Sequence, residues 1–316
     1  MLVSFVIPCY RSEKTISSVV ADIKKTITEN TDYNYEIILV NDCSPDGVYS
    51  VLKQLADDDI NVKVINLAKN FGQHSALMAG LNRTNGDVVV CLDDDGQTPP
   101  SESLKLIDAL NEDVDVAYAS YNLDGKKHSG FRNFGSMVND LMLQKLLGKP
   151  KELKVTSFFA AKKYIIQEMC KYHNAFPYLM GLVLRSTNKI INVPVHHKER
   201  LVGKSGYTLK TLLKLWVNGF TAFSVIPLRI STAGGTLLAI LGFIYGIYTI
   251  IRRLVNPLAP MGYASLMSAL LFIGGMIMLM LGMLGEYIGR IYLSINNAPQ
   301  YVERNTINFD NSDKRG

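Results

Sequence analysis

Two stretches without a single charged residue, 230–251 and 261–285, divide this 316-residue chain before any other feature is weighed. At about 1.5 Å per helical residue, each can cross a hydrocarbon layer of ~30 Å. The alternative is a pair of buried core helices, but two Gly-rich uncharged runs in succession argue for membrane spans. Only residues 252–260 join them, with Asn256-Pro257 and Pro260 as breakers, so the expected form is an antiparallel hairpin with both flanks on one side. The chain opens on a strand-like run, VSFVIP, without a basic leader or cleavage site, so no signal peptide is expected. With four cysteines expected to be unpaired, that makes the cytosol the expected side for both flanks. Lys204, Lys210, Lys214 and Arg229 before the hairpin, and Arg290 and Arg304 after it, agree with positive-inside; Arg252 and Arg253 oppose it.

Ahead of the hairpin, strand and helix patterns alternate. Apolar runs at 2–7, 35–40, 62–66 and 88–92 read as buried strands. Helical periodicity covers 12 or 13 to 29, where Ile16, Val19, Val20, Ile23 and Ile27 share a face, and then 48–57 and 71–83. Four strand–helix alternations predict a mostly parallel sheet with helices on both faces. Beyond it, helices are expected at 101–110, 133–147 and 164–172, and strands at 114–119, 154–161 and 190–196.

The chemistry concentrates at VVVCLDDDGQTPP, residues 88–100. Asp93, Asp94 and Asp95 follow a buried strand at once, and Gly96 and Pro99-Pro100 force a turn. Adjacent carboxylates raise one another's pKa, and a divalent cation removes the conflict. Hard oxygen donors suit Mg²⁺ or Mn²⁺, with one or two carboxylates and substrate phosphates as ligands. Asp93, Asp95 and Gln97 are therefore the candidate metal–diphosphate site; the competing reading is a solvated acidic turn capping the next helix. Neither G-x-G-x-x-G after the first strand nor a P-loop occurs. A nucleotide would have to be gripped by loops 8–13, 41–47 and 93–97, which leave one edge of the sheet. Residues 197–207, HKERLVGKSGY, read as a basic flap over a diphosphate, with Arg200 and Lys204. Residues 207–223 are amphipathic, with Lys210, Lys214 and Trp216, and read as an interfacial helix on anionic lipid.

The net charge of +5 gives no nucleic-acid footprint. Cys9, Cys43, Cys91 and Cys170 form no C-x-x-C pair and are expected to be small buried residues in a reducing compartment. The tail after Asn305 is polar and expected to be disordered.

In order and spacing, the motifs VIPCYRSE, LVNDCSPDG, LAKNFGQHSALMAG, VVVCLDDDGQTPP, KERLVGKSGY, FSVIPLRI and GMLGEYIGRIY resemble family 2 glycosyltransferases of the GT-A fold. They are most similar to the membrane-bound subgroup that moves a sugar from a nucleotide-sugar to a polyprenyl phosphate, as dolichyl-phosphate mannose synthases and undecaprenyl-phosphate glycosyltransferases do. The resemblance implies a GT-A catalytic domain at 1–206, an interfacial helix at 207–227, two transmembrane helices within 228–285, and a cytosolic segment at 286–316. It implies that Asp93, Asp95 and Gln97 hold Mg²⁺ or Mn²⁺. Pro8, Tyr10, Glu13 and Asp42 would hold the nucleoside, with Asp94 beside them. Arg200, Lys204 and Ser205 would close over the diphosphate, and Arg132 and Ser136 would receive the acceptor phosphate. Asp95, Arg132 and Arg200 would carry catalysis, with no catalytic histidine. The implied donor is a UDP-sugar ahead of a GDP- or TDP-sugar. The implied setting is a multi-pass homo-oligomer in the inner (plasma) membrane. The chain departs from the family pattern at Asn41, Thr98, Ser120-Tyr121 and the segment VTSFFAA at 155–161. Against this stand a catalytically silent nucleotide-sugar-binding scaffold and a transferase with another acceptor. A processive synthase would show Q-x-x-R-W, which is absent around Trp216.

Overall fold

A computed structural model describes residues 1–30, 32–121, 144, 149–196, 226–255, 262–296 and 298–309. The chain forms two compact units, Met1–Trp216 with Asn297–Gly316, and Val217–Asn296.

In the first unit the described strands are β1 (Leu2–Cys9), β2 (Asn34–Asn41), β3 (Val62–Leu67), β4 (Val88–Cys91), β5 (Val116–Tyr121), β6 (Phe159–Lys162), β7 (Ile190–Val195) and β8 (Glu303–Ile307). They make one sheet in the order β7-β5-β6-β4-β1-β2-β3-β8. β6 runs antiparallel between β4 and β5, and β8 antiparallel against β3; the other pairings are parallel. The interleaved helices are α1 (Ile16–Asn30), α2 (Val48–Asp58), α3 (Gln73–Leu81), α4 (Ser103–Asp108), α5 (Lys163–Cys170) and α6 (Leu179–Ser186). The expected α/β sheet is present, and it is mixed.

Strand alternation sorts the two faces. Val3, Phe5, Ile7, Ile37, Leu39, Val62 and Val64 share a core with Ile16, Val20 and Ile23 of α1, Leu52 of α2 and Leu106 of α4. The opposite face carries Val6, Ile38 and Val40, on which α3 lies so closely that a Cβ at Gly80 would meet Val6 Cγ1 at 2.4 Å. Helices therefore cover both faces, and this is why residues 5–7 of β1, 37–40 of β2 and 88–91 of β4 are apolar.

Several helices start later than their periodicity suggests, because the preceding residues are drawn into loop contacts. Before α1, the Thr15 hydroxyl donates to the Asp94 carbonyl (2.7 Å). Before α3, the amides of Phe71 and Gly72 donate to Asp42, with Gly72 at φ 90°. Pro99-Pro100 begins a short 3₁₀ turn, Pro100–Glu102, ahead of α4. α6 has no counterpart among the expected elements.

Two expectations are corrected. The tail is ordered past Asn305: β8 closes the open side of β3, and the Asn308 side chain donates to the carbonyls of Ala56 (2.7 Å) and Val62 (2.8 Å). Arg83 makes a two-pronged ion pair with Glu303, at 2.6 and 3.3 Å. Few apolar residues mark β8 because side-chain bonds hold it. The four cysteines are free, but only Cys9 and Cys91 are buried; Cys43 is exposed in the loop after β2.

The second unit contains α7 (Ile226–Val255) and α8 (Tyr263–Ile295). The described residues hold one segment long and apolar enough to cross a membrane, Phe272–Leu293; Thr232–Tyr245 is apolar but shorter. Length and composition thus support one span, where two are expected. Large apolar side chains such as Phe243, Tyr248, Phe272, Met278 and Ile291 are exposed along both helices. The expected helix at 133–147 and interfacial helix at 207–223 lie outside the described residues, apart from Gln144.

At the edge of the sheet opposite the loops 8–13, 41–47 and 93–97, the buried Glu36 carboxylate accepts from the Ser4 hydroxyl, the Asn85 amide (2.6 Å) and the Lys63 ammonium (3.0 Å). Glu36→Ala strands these donors in an apolar setting. It should lower stability by about 2–4 kcal/mol, read as a reduced urea midpoint at unchanged m-value. A loss under ~0.5 kcal/mol would show that water replaces the carboxylate.

Candidate functional site

The parallel strands β1, β2 and β4 deliver three loops to one edge, where open α/β sheets bind ligands. Each carboxylate of the triplet after β4 has a distinct task there.

Asp93 is clamped. Gln73 at the start of α3 donates its side-chain amide to Asp93 Oδ1 (2.9 Å), and the Ser157 hydroxyl donates to Oδ2. The antiparallel register explains Ser157: Cys91 faces Phe159, so two residues further out Asp93 faces Ser157. Both donors are uncharged. Burial raises the Asp93 pKa to about 6; the Ser157 bond opposes this, and the charges of Asp95 and Asp94 add to it. Asp94 turns towards the first loop, where its carboxylate accepts the Tyr10 amide (3.0 Å); burial pushes its pKa up as well. Asp95 accepts the Gln97 amide (3.0 Å) across the turn that Gly96 makes at φ 69°. Thr98 lies within 3.3 Å of the Tyr121 hydroxyl at the end of β5.

The loops after β1 and β2 are stitched to each other. The Arg11 amide donates to the Ser44 hydroxyl (2.8 Å), which donates to Asp46 (2.6 Å). The Glu13 amide donates to Asp46, and the Gly47 amide to Glu13, each at 3.2 Å. Arg11 (φ 60°) and Cys43 (φ 50°) occupy the left-handed region that non-glycine residues avoid. Tyr10 is exposed, with the Arg11 guanidinium 5.4 Å from its ring centre. Pro8 lies in β1 beyond the end of the β4 pairing, where a missing N–H is tolerated. Asp42 is buried, and its two oxygens accept the amides of Phe71 (2.7 Å) and Gly72 (2.9 Å). Burial raises its pKa and these amides oppose the rise. Its present work is to fix the approach to α3.

The structure thus brings Pro8, Tyr10, Glu13, Asp42, Asp93, Asp94, Asp95 and Gln97 to one edge. Arg132, Ser136, Arg200, Lys204 and Ser205 lie outside the described residues. Gln73, Ser157, Ser44 and Asp46 are functional-edge residues that sequence reading missed. Ser44 and Asp46 lie in the 41–47 loop expected to grip a nucleotide, and Ser157 sits where the family pattern is broken. His74 is held neutral: burial takes its pKa to about 4, and its ring packs edge-on against Tyr178 at 5.5 Å.

Among the described residues no three His, Cys, Asp or Glu side chains converge as a metal cage. The donor set nevertheless fits a hard divalent cation that takes two carboxylates and completes its shell with phosphate oxygens and water.

The chain matches Glycosyl transferase family 2 over residues 4–170 and the GtrB C-terminal hairpin over 226–291. It is 31% identical over 314 residues to the undecaprenyl-phosphate 4-deoxy-4-formamido-L-arabinose transferase of Yersinia pestis bv. Antiqua (strain Angola), covering 98% of this chain and 95% of the relative. The enzyme of that name from Yersinia pseudotuberculosis serotype O:3 (strain YPIII) matches with the same identity and coverage. Among solved structures, glucosyl-3-phosphoglycerate synthase from Mycobacterium tuberculosis, in complex with Mn²⁺ and UDP-glucose, superposes with TM-score 0.52 at 18% identity. That match covers 70% of this chain and 77% of the other, and shows a shared fold.

Because the Asp93 pKa is raised from 3.8 to about 6, the folded protein holds this proton more tightly than the unfolded chain. Its contribution to stability therefore falls as pH rises from about 4 to 6, and the full cost remains above 6. In metal-free buffer, Asp93→Asn should raise Tm by about 2–4 °C at pH 7.5, with the gain vanishing towards pH 4. Thermal melts in EDTA across this range check it; a gain independent of pH contradicts the account.

Proposed function

The chain belongs to glycosyl transferase family 2, and we propose that it transfers a sugar from a nucleotide-sugar to undecaprenyl phosphate at the cytosolic face of the membrane. The observation that carries this reading is the acid triplet at the carboxyl edge, flanked by two stitched loops, in a chain whose match to undecaprenyl-phosphate sugar transferases runs through the hairpin. A UDP-sugar is the favoured donor, with 4-deoxy-4-formamido-L-arabinose, the sugar in the relatives' names, the first to test.

Asp93 and Asp95, with Gln97, would hold Mg²⁺ or Mn²⁺, whose charge offsets that developing on the departing nucleoside diphosphate. Gln73 and Ser157 keep Asp93 in one orientation. The exposed Tyr10 ring offers a face for the base, and Glu13 with Asp46 fixes the loops around the nucleoside. Arg200, Lys204 and Ser205 close over the diphosphate. Arg132 and Ser136, four residues apart, bind the acceptor phosphate. An oxygen of that phosphate attacks the anomeric carbon as its bond to the diphosphate breaks, and the configuration inverts. The nucleophile is already an anion at neutral pH, so positioning and relief of anion–anion repulsion replace a general base. Residues 226–295 form a two-helix membrane hairpin, supported by the exposed apolar side chains of α7 and α8. The same reading makes it a multi-pass protein of the plasma membrane, and the family resemblance implies a homo-oligomer.

Detergent-solubilised protein with undecaprenyl phosphate, Mn²⁺ or Mg²⁺ and a panel of UDP-, GDP- and TDP-sugars should yield a lipid-linked monosaccharide from one donor. Asp95→Ala should lower kcat by about 10²–10³-fold or more, and EDTA should abolish turnover. Nucleotide binding without turnover of any donor would point to another acceptor or to a silent nucleotide-sugar binder. Neither binding nor turnover would overturn the nucleotide-sugar reading altogether.

A further inference from the structure

A row of three carboxamides crosses the sheet from the loop after β2 to the C-terminal strand. Asn41, Asn66 and Asn305 are register partners on β2, β3 and β8. Their side chains form one directed chain. The Ser44 amide donates to Asn41 Oδ1 (3.1 Å), Asn41 Nδ2 to Asn66 Oδ1 (2.8 Å), Asn66 Nδ2 to Asn305 Oδ1 (2.9 Å), and Asn305 Nδ2 to the Tyr49 hydroxyl (2.5 Å). Asn41 and Asn66 are buried, so their amides need these partners. Each link requires a group that accepts on one side and donates on the other, which a carboxylate at 41 or 66 could not do. This accounts for an amide at Asn41, where the family pattern has an acid.

The near end of the row sits at a sensitive place. Asn41 precedes Asp42, which clamps the approach to α3, and the row ends on Ser44, whose hydroxyl bridges Arg11 and Asp46. Between them lies Cys43 at φ 50°, a conformation that persists only when its surroundings over-determine it. The far end lies on β8, supplied by chain that returns only after the hairpin.

We infer that Asn305 and Asn66 are positioning residues for donor binding: through Asn41 they set the Asn41–Ser44 backbone against which the nucleoside docks. The C-terminal strand is thereby part of the donor site. The inference rests on the reading that the 41–47 loop holds the nucleoside. A role in stability alone belongs instead to Glu303, on the same strand, which pairs with Arg83 away from the row.

The test measures UDP affinity by calorimetry, donor KM and kcat by transfer assay, and Tm, on the full chain in detergent. Asn66→Ala and Asn305→Ala should each raise Kd and KM by about three- to tenfold, the scale of a lost hydrogen bond, with kcat within about twofold. Asn305→Asp should restore wild-type affinity, because it still accepts from Asn66 while the Tyr49 hydroxyl turns to donate. Glu303→Ala should lower Tm with Kd unchanged. Unchanged Kd in Asn305→Ala, failure of Asn305→Asp to restore it, or an equal Kd shift in Glu303→Ala would overturn the inference. If the wild type binds none of UDP, GDP and TDP, the nucleoside reading falls and takes the inference with it.

Discussion

Three consecutive carboxylates at the end of a buried strand cannot all ionise cheaply, and much of the functional edge is arranged around that constraint. Among the described residues Asp93 meets only uncharged donors, Gln73 and Ser157, and its pKa rises to about 6 with burial as the main cause. Asp94 is turned away to take the Tyr10 amide, which draws the first loop against the third. Asp95 closes the turn on Gln97. Separating the three groups by direction leaves Asp93 and Asp95 as the pair best suited to a divalent cation brought in with a diphosphate. A cation held there would relieve the repulsion that the fold tolerates without it.

The rest of the first unit keeps this edge rigid. α3 packs on the sheet without room for a Cβ at Gly80, and its start is pinned by Asp42, so Gln73 arrives at Asp93 from a fixed position. β6 enters antiparallel between β4 and β5, and that direction alone lets a residue before it, Ser157, face a residue after β4. On the other side, β8 covers the edge of β3 and carries the amide row back to the loop after β2. Strained backbone at Arg11 and Cys43 lies between these supports, where stored strain is ordinarily tied to ligand binding.

Much of this was legible in the amino-acid sequence. The apolar runs of β1 to β4 and the 3.6-residue spacing of Ile16, Val19, Val20, Ile23 and Ile27 report burial directly, and these elements lie within a few residues of their expected bounds. The acid triplet was readable because its chemistry is local. What escaped depends on pairing between distant segments. ERNTI has a single apolar residue and becomes a strand only because Arg83, Asn66 and the Asn308 cap receive it. LMGLVLRS is eight residues long, shorter than the window over which a helical period is read, so α6 escaped. Gln73 and Ser157 become neighbours of Asp93 through helix placement and antiparallel register, neither of which a local pattern encodes.

The measurement that bears most directly on the central claim is Mn²⁺ binding, followed by paramagnetic resonance at pH 7.5 with and without UDP. If the triplet is a half-built cation site, Mn²⁺ should bind weakly alone and at least about tenfold more tightly with UDP, and both should be lost in Asp95→Ala. Mn²⁺ affinity that ignores UDP, or survives Asp95→Ala unchanged, would mean that the three carboxylates only cap a turn.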